Sequence, residues 1–127
     1  MIEVGLSYTS TMRVETHSTA EAMGSGDLPV FATPALAALM ENAAMRAVAV
    51  LLPDDATTVG TRLELNHVKA SGVGAEVTAT AVLTAVDGRR LTFRIEAHDG
   101  QGLVGECTHE RFIVDRKRFL EKIAINN

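Results

Sequence analysis

A chain of 127 residues with 46% hydrophobic content fits one domain, residues 1–127, around a single core. Its formal charge of -4 and pI near 5.5 leave no electrostatic footprint for nucleic acid or an anionic membrane surface. Cys107 stands alone, so an intrachain disulfide and any metal site needing paired thiolates are excluded.

Aromatic residues make up 4% and tryptophan is absent, so the core must come from Ala, Val, Leu and Ile, which let elements approach closely. Met1 to Gly5 shows no basic region followed by an apolar stretch. No run approaches the roughly 18 apolar residues of a membrane span. A cytoplasmic protein with no membrane partner is the expectation.

In chain order, Val4 to Glu15 mixes Val, Tyr, Thr and Met without a helical stripe and reads as a first strand. His17 to Leu28, HSTAEAMGSGDL, has little apolar periodicity and reads as a loop or short helix near an entrance. Thr33 is then a good N-cap, Pro34 suits the first helical position, and Pro53 marks a stop. Between them Leu36, Leu39, Met40, Ala43, Ala44, Ala47, Val48 and Leu51 follow helical spacing, while alanines occupy much of the remaining surface. A helix apolar nearly all round must be covered on most sides.

Thr58 to Lys69 sets Val59, Leu63 and Leu65 on one face of a strand, with Arg62, Glu64 and Asn66 on the other. Glu76 to Val86 aligns Val77, Ala79, Ala81, Leu83 and Ala85. Leu91, Phe93, Ile95 and Ala97 alternate with Thr92, Arg94, Glu96 and His98. Asp87-Gly88 and Asp99-Gly100 suit hairpin turns needing positive φ, and Gly72 and Gly74 suit a further bend. Leu103 to Asp115 alternates poorly, and RKRFLEKIAI after it reads as a short terminal helix with a basic start. A strand, a long buried helix, then strands joined by hairpins is the element order of an α+β hotdog fold, a long central helix wrapped by a curved antiparallel β-sheet. Other α+β sandwiches share that order, which by itself specifies no chemistry.

Two residues stand out against this pattern. Glu41 lies mid-helix with Ala37, Ala38, Ala44 and Met45 as one-turn neighbours and no cation beside it. A partly desolvated, unpaired carboxylate holds its proton more tightly, as a base or nucleophile requires; the alternative is a carboxylate that merely solvates an exposed alanine face. His67 shares strand parity with Val59, Leu63 and Leu65, so it points toward the helix, either as a hydrogen-bonded core histidine or as a catalyst. Thr33 is explained by capping alone, although a hydroxyl beside free helix N–H groups also suits a developing oxyanion. His17, His98 and His109 form no metal-ligand spacing with one another or with Cys107, and no chemistry is assigned to them. Cys107 reads as a small core or sheet residue, or a reactive thiol near a coenzyme A groove.

The segments FATPALAALMENAAM and VGTRLELNHVKA resemble the fluoroacetyl-CoA thioesterase-like branch of the hotdog superfamily, and the likeness covers about Val4 to Asp115. The resemblance implies a catalytic set of Thr33, Glu41 and His67, with Gly60 lining the acyl pocket. It implies no cofactor, an acyl-CoA partner, and a homodimer or dimer of dimers. The sequence departs from the fluoroacetyl-specific enzyme at HSTAEAMGSGDL, which lacks that enzyme's aromatic lid residues; Phe31 is the nearby aromatic. A short or medium acyl-CoA is therefore the expected substrate, in a pocket whose depth is set by Phe31, Leu36 and Met40. A non-catalytic acyl-CoA binding or sensing module would use the same pocket without turnover. A hydratase would need an Asp and His pair that is not found. In the expected dimer, one subunit's helix carries Thr33 and Glu41 while the partner's strand carries His67.

Overall fold

Pro34 and the alanine-rich segment after it form the axis of the molecule. The computed structural model describes residues 1–126, with side chains through residue 124. In chain order it comprises β1 (Ser7–Arg13), a 3-10 turn (Thr16–Ser18), α1 (Ala20–Met23), α2 (Thr33–Ala49), β2 (Ala56–His67), β3 (Glu76–Asp87), β4 (Arg90–Asp99), β5 (Gly102–Asp115) and α3 (Arg116–Asn126). The strands make one five-stranded antiparallel sheet in the order β1-β3-β4-β5-β2. It curls around α2, which is the α+β hotdog arrangement.

One stripe of α2 is driven into the sheet. Leu36, Met40, Ala43, Ala44 and Val48 are fully buried against Val77, Ala79, Ala81 and Leu83 of β3 and Leu91, Phe93, Ile95 and Ala97 of β4, also fully buried. The period-2 pattern of β3 and β4 is therefore the core pattern, as the alternation predicts. Alanine on both sides keeps the helix close to the sheet. The opposite stripe of α2, including Ala38 and Ala49, is exposed, so the sheet covers one side of the helix and not most sides.

Several local expectations are corrected. The helix ends at Ala49, with Val50 as its C-cap, before Pro53 is reached. Ala85 is exposed, because the β3 register shifts between Leu83 and Ala85 and turns the strand end over. Gly88 supplies positive φ in the β3–β4 turn, but in the β4–β5 turn the positive φ belongs to Gly102, not Gly100. The segment holding Gly72 and Gly74 makes no hairpin: β2 and β3 are not neighbours, and the chain crosses the sheet between them.

Gly105 of β5 pairs with His67 of β2, directly under the helix. A Cβ there would lie 2.8 Å from the Asn66 carbonyl oxygen and 3.0 Å from Leu36 Cδ2, so backbone and core both exclude it. Gly105→Ala is expected to cost about 1–3 kcal/mol through overpacking. Equilibrium denaturation measures it, and an unchanged midpoint would show that β5 can move away from β2 freely.

Candidate active site

The head of α2 departs from the predicted cap. Ala32, with φ -74 and ψ 140, is the N-cap and makes no side-chain cap bond; Thr33 is already helical, with Pro34 behind it. The Thr33 hydroxyl, free of capping, lies 2.8 Å from His67 Nδ1 at the end of β2. His67 Nε2 is buried and, among the described residues, is the one buried side-chain N or O atom without a hydrogen-bond partner. Burial lowers the pKa of His67 from its ordinary 6.5, against an opposing contact with the Lys69 backbone, so the ring is neutral at pH 7. Thr33 and His67 share a cavity of about 270 Å³ with Phe31, Ala20 and Ser25. The segment from His17 to Leu28, in part the short α1, thus supplies one wall of the cavity beside this pair.

Farther along α2, Glu41 faces a different set of groups. The β2–β5 register shifts between Gly60 and Arg62: Gly60 stands opposite Arg111, and Leu63 opposite His109. This extra residue breaks the parity that linked Val59 to Leu63 and His67, and it brings Gly60 onto the helix-facing side. A Cβ at Gly60 would lie 2.7 Å from Glu41 Oε2, so the glycine is what admits the carboxylate. The expectation that no cation stands beside Glu41 is also corrected, because Arg111 Nη1 is 3.9 Å from Glu41 Oε2. Sequence spacing on the helix does not reveal a partner that arrives from β5.

Arg111 is only 7% exposed and is held firmly. Its Nε donates to Thr58 Oγ1 at 2.8 Å, Nη2 to the Thr58 carbonyl at 3.0 Å, and Nη1 to His109 Nε2 at 3.1 Å. His109, fully buried, therefore carries its proton on Nδ1 and donates it to the Arg62 carbonyl at 2.7 Å. Burial lowers the His109 pKa, keeping it neutral at pH 7, and also lowers that of Arg111, which Glu41 opposes. Glu41, Gly60 and Arg111, with Ala38, Asn42 and Met45, line an open depression of about 280 Å³. Neither His109 nor Arg111 was assigned chemistry from the sequence. The available signal was their shared parity with Cys107 in β5, masked because the inward set is largely polar.

The remaining candidates fall into place around these two clusters. Phe31 is buried and lines the Thr33–His67 cavity, whereas Leu36 and Met40 are fully buried in the core and line neither cavity. Cys107 is a buried core thiol whose pKa is pushed up to about 12 by burial, which suits packing and not reactivity. A larger cavity of about 530 Å³ adjoins through Lys69 and Ala70, but its Asp99 is already satisfied by Lys69, Ser71 and the Gln101 N–H, and is held down at about 2 chiefly by the Lys69 hydrogen bond. Among the described residues no group of His, Cys, Asp and Glu could hold a metal ion, and no helix is long and apolar enough to cross a membrane. Within one chain, then, Thr33 meets His67, while Glu41 stands about 12 Å farther along the helix axis at ~1.5 Å per residue.

Residues 14–117 match the family described as fluoroacetyl-CoA-specific thioesterase. The chain is 37% identical to the fluoroacetyl-CoA thioesterase of Streptantibioticus cattleyicolor over 128 residues, covering 96% of this chain and 92% of that one. The solved structure of the fluoroacetyl-CoA thioesterase FlK superposes with a TM-score of 0.93 at 34% identity, covering 100% of this chain and 98% of that one. A threonine-to-serine variant of FlK in complex with acetyl-CoA gives 0.94 at 33% identity, covering 99% of each chain. A thioesterase superfamily member from Thermus thermophilus, at 23% identity, covers 98% of this chain and 92% of its own with a TM-score of 0.90, and shares the fold. With its sheet curled around α2 and its family match running from the end of β1 into the start of α3, residues 14–117, the chain belongs to the fluoroacetyl-CoA-specific thioesterase family of hotdog-fold thioester hydrolases.

Proposed function

We propose that this protein hydrolyses short or medium acyl-CoA thioesters, with Glu41 as general base or nucleophile and Thr33 and His67 at the reacting carbonyl. The observation that carries this reading is the Thr33–His67 hydrogen bond of 2.8 Å, made by a hydroxyl with no capping duty beside a cavity at the helix head. Support also comes from the relatives, whose names specify thioester hydrolysis and one of which was solved with acetyl-CoA.

The Thr33 hydroxyl, held by His67, would polarise the thioester carbonyl and stabilise the oxyanion as it forms. Glu41 would take a proton from water as the oxygen attacks the carbonyl carbon. The C–S bond then breaks, and the departing coenzyme A sulfur is protonated with help from His67. In the covalent variant, Glu41 attacks directly, coenzyme A leaves, and water cleaves the resulting anhydride. Trapping an acyl-enzyme with hydroxylamine separates the two routes.

A carboxylate about 12 Å along the helix cannot reach the carbonyl held at Thr33 of its own chain. We therefore read the site as shared in a homodimer or dimer of dimers. Thr33 and His67 come from one chain and Glu41 from the other, which revises the expected division in which His67 alone crossed over. The exposed small-residue stripe of α2 and the 12-residue edge strand β2 are surfaces that such pairing would cover. No aromatic residue lies between His17 and Leu28, the segment that walls the Thr33–His67 cavity, which supports acceptance of ordinary short acyl groups.

In a thiol-release assay with acetyl-CoA and longer acyl-CoAs, Glu41→Gln and His67→Ala are each expected to lose at least about a hundredfold in turnover while remaining folded. Normal turnover in folded Glu41→Gln defeats the assignment. The same assay should show activity toward short acyl-CoAs equal to or above that toward fluoroacetyl-CoA, and a preference above about a thousandfold for the fluorinated substrate would reveal another gate.

Mixing Glu41→Gln with His67→Ala should restore up to one working site per heterodimer. No recovery after confirmed subunit exchange would place all three groups on one chain.

Buried His109 and half-buried His67 set a pH dependence. Their folded pKa values lie below the ordinary 6.5, so the unfolded chain binds more protons between those values and 6.5. Their stabilising contribution is full above about pH 6.5 and is lost as pH falls through the folded values. Melting temperature should decline on acidification below about 6.5, and a rise there would refute the neutral state of the pair.

A further inference from the structure

Three groups converge on the space left by the missing Gly60 side chain. The position of a Cβ there is 2.7 Å from Glu41 Oε2, 3.2 Å from His109 Cε1 and 3.3 Å from Arg111 Nη1. One edge of the guanidinium is fixed by Thr58, through Nε on the hydroxyl and Nη2 on the carbonyl. Nη1 is what faces Glu41, at 3.9 Å, beyond hydrogen-bond length. Its acceptor is His109 Nε2, at 3.1 Å.

We propose that His109 is a positioning residue for the hydrolytic reaction: its Nε2 lone pair engages Arg111 Nη1 and so keeps the guanidinium beside Glu41 without locking onto it. This rests on the reading of Glu41 as the reacting carboxylate. A guanidinium fully bonded to Glu41 would occupy the lone pairs that a base or nucleophile must use. Remove the acceptor at His109, and a buried N–H is left unsatisfied, with Glu41 the nearest anion to receive it. The carboxylate is then drawn toward β5, and its lone pairs are taken up by the guanidinium.

The surroundings fit an acceptor and not a cation. Around the His109 ring stand Arg111 and Glu110 of β5, Glu41 of α2, the Arg62 carbonyl of β2, and Phe93 of β4 with ring centroids 6.4 Å apart. Protonation would place a second positive charge against Arg111 and remove the lone pair it uses. The Nδ1–H bond to the Arg62 carbonyl holds the tautomer that leaves Nε2 open.

Two isosteric replacements separate positioning from packing. In His109→Gln the side-chain oxygen reaches the place of Nε2 and keeps an acceptor for Arg111. In His109→Asn the amide N–H keeps the donor to Arg62 but leaves nothing at Nε2. His109→Gln is expected to hold kcat within about threefold, and His109→Asn to lower it at least about tenfold with KM little changed. Melting temperatures identify folded variants. Equal turnover in the two folded variants, or the better rate in Asn, overturns the proposal.

A measurement on the unaltered protein stands whether or not the variants fold. Imidazole ¹⁵N resonances at pH 7 should show His109 protonated at Nδ1 and bare at Nε2, and the opposite tautomer or an imidazolium overturns the proposal. Inactive Glu41→Gln beside indistinguishable His109 variants defeats this inference alone. Full turnover in Glu41→Gln defeats the hydrolytic reading, and the inference with it.

Discussion

How near α2 can lie to the sheet decides what the rest of the molecule can do. Ala43, Ala44 and Ala47 on the helix, and Ala79, Ala81 and Ala97 on the strands, remove the bulk that would otherwise hold the layers apart. At that separation a short side chain such as Thr33 reaches the end of β2, and a carboxylate about two turns on reaches the inner face of β2 and β5. Gly60 and Gly105 extend the same constraint, since a Cβ at either would strike Glu41 or Leu36 across the layer. Larger core residues would keep the fold and lose the approach.

The bulge between Gly60 and Arg62 is the second device. Without it the strand's two halves would be in phase, and a residue facing Arg111 could not share a face with His67. The extra residue lets β2 present a glycine to Glu41 at one end and a histidine to Thr33 at the other. A period-2 reading carried through Val59 to His67 places His67 correctly, and it misplaces Val59 and Gly60. A bulge adds a residue without a compositional mark beyond the glycine itself, so the sequence could name the strand and its inward histidine but not the change of phase.

Legibility follows the same physical line elsewhere. The buried stripe of α2 and the alternation of β3 and β4 were readable because burial there is apolar and periodic. Glu41 and His67 stand out as polar residues in apolar periods, whereas Thr33 reads as a cap and joins them only through the family resemblance. His109 and Arg111 do not stand out, since β5 carries Cys107, His109 and Arg111 inward, and a strand whose inner face is polar looks like no pattern at all. The helix start differs for a related reason: Thr before Pro suits an N-cap, and only the chain's entry angle through Ala32 makes Thr33 the first helical residue.

The two polar clusters differ in one respect that bears on their work. In the β5 cluster both His109 nitrogens and three Arg111 nitrogens have partners, and the depressed basicity of His109 is set against two hydrogen bonds that hold it in place. At the helix head, His67 spends Nδ1 on Thr33, and its buried Nε2 makes no hydrogen bond among the described residues. That nitrogen lies beside Thr33, in the cavity walled by α1, whereas each ring nitrogen of His109 and each guanidinium nitrogen of Arg111 has a partner within the chain.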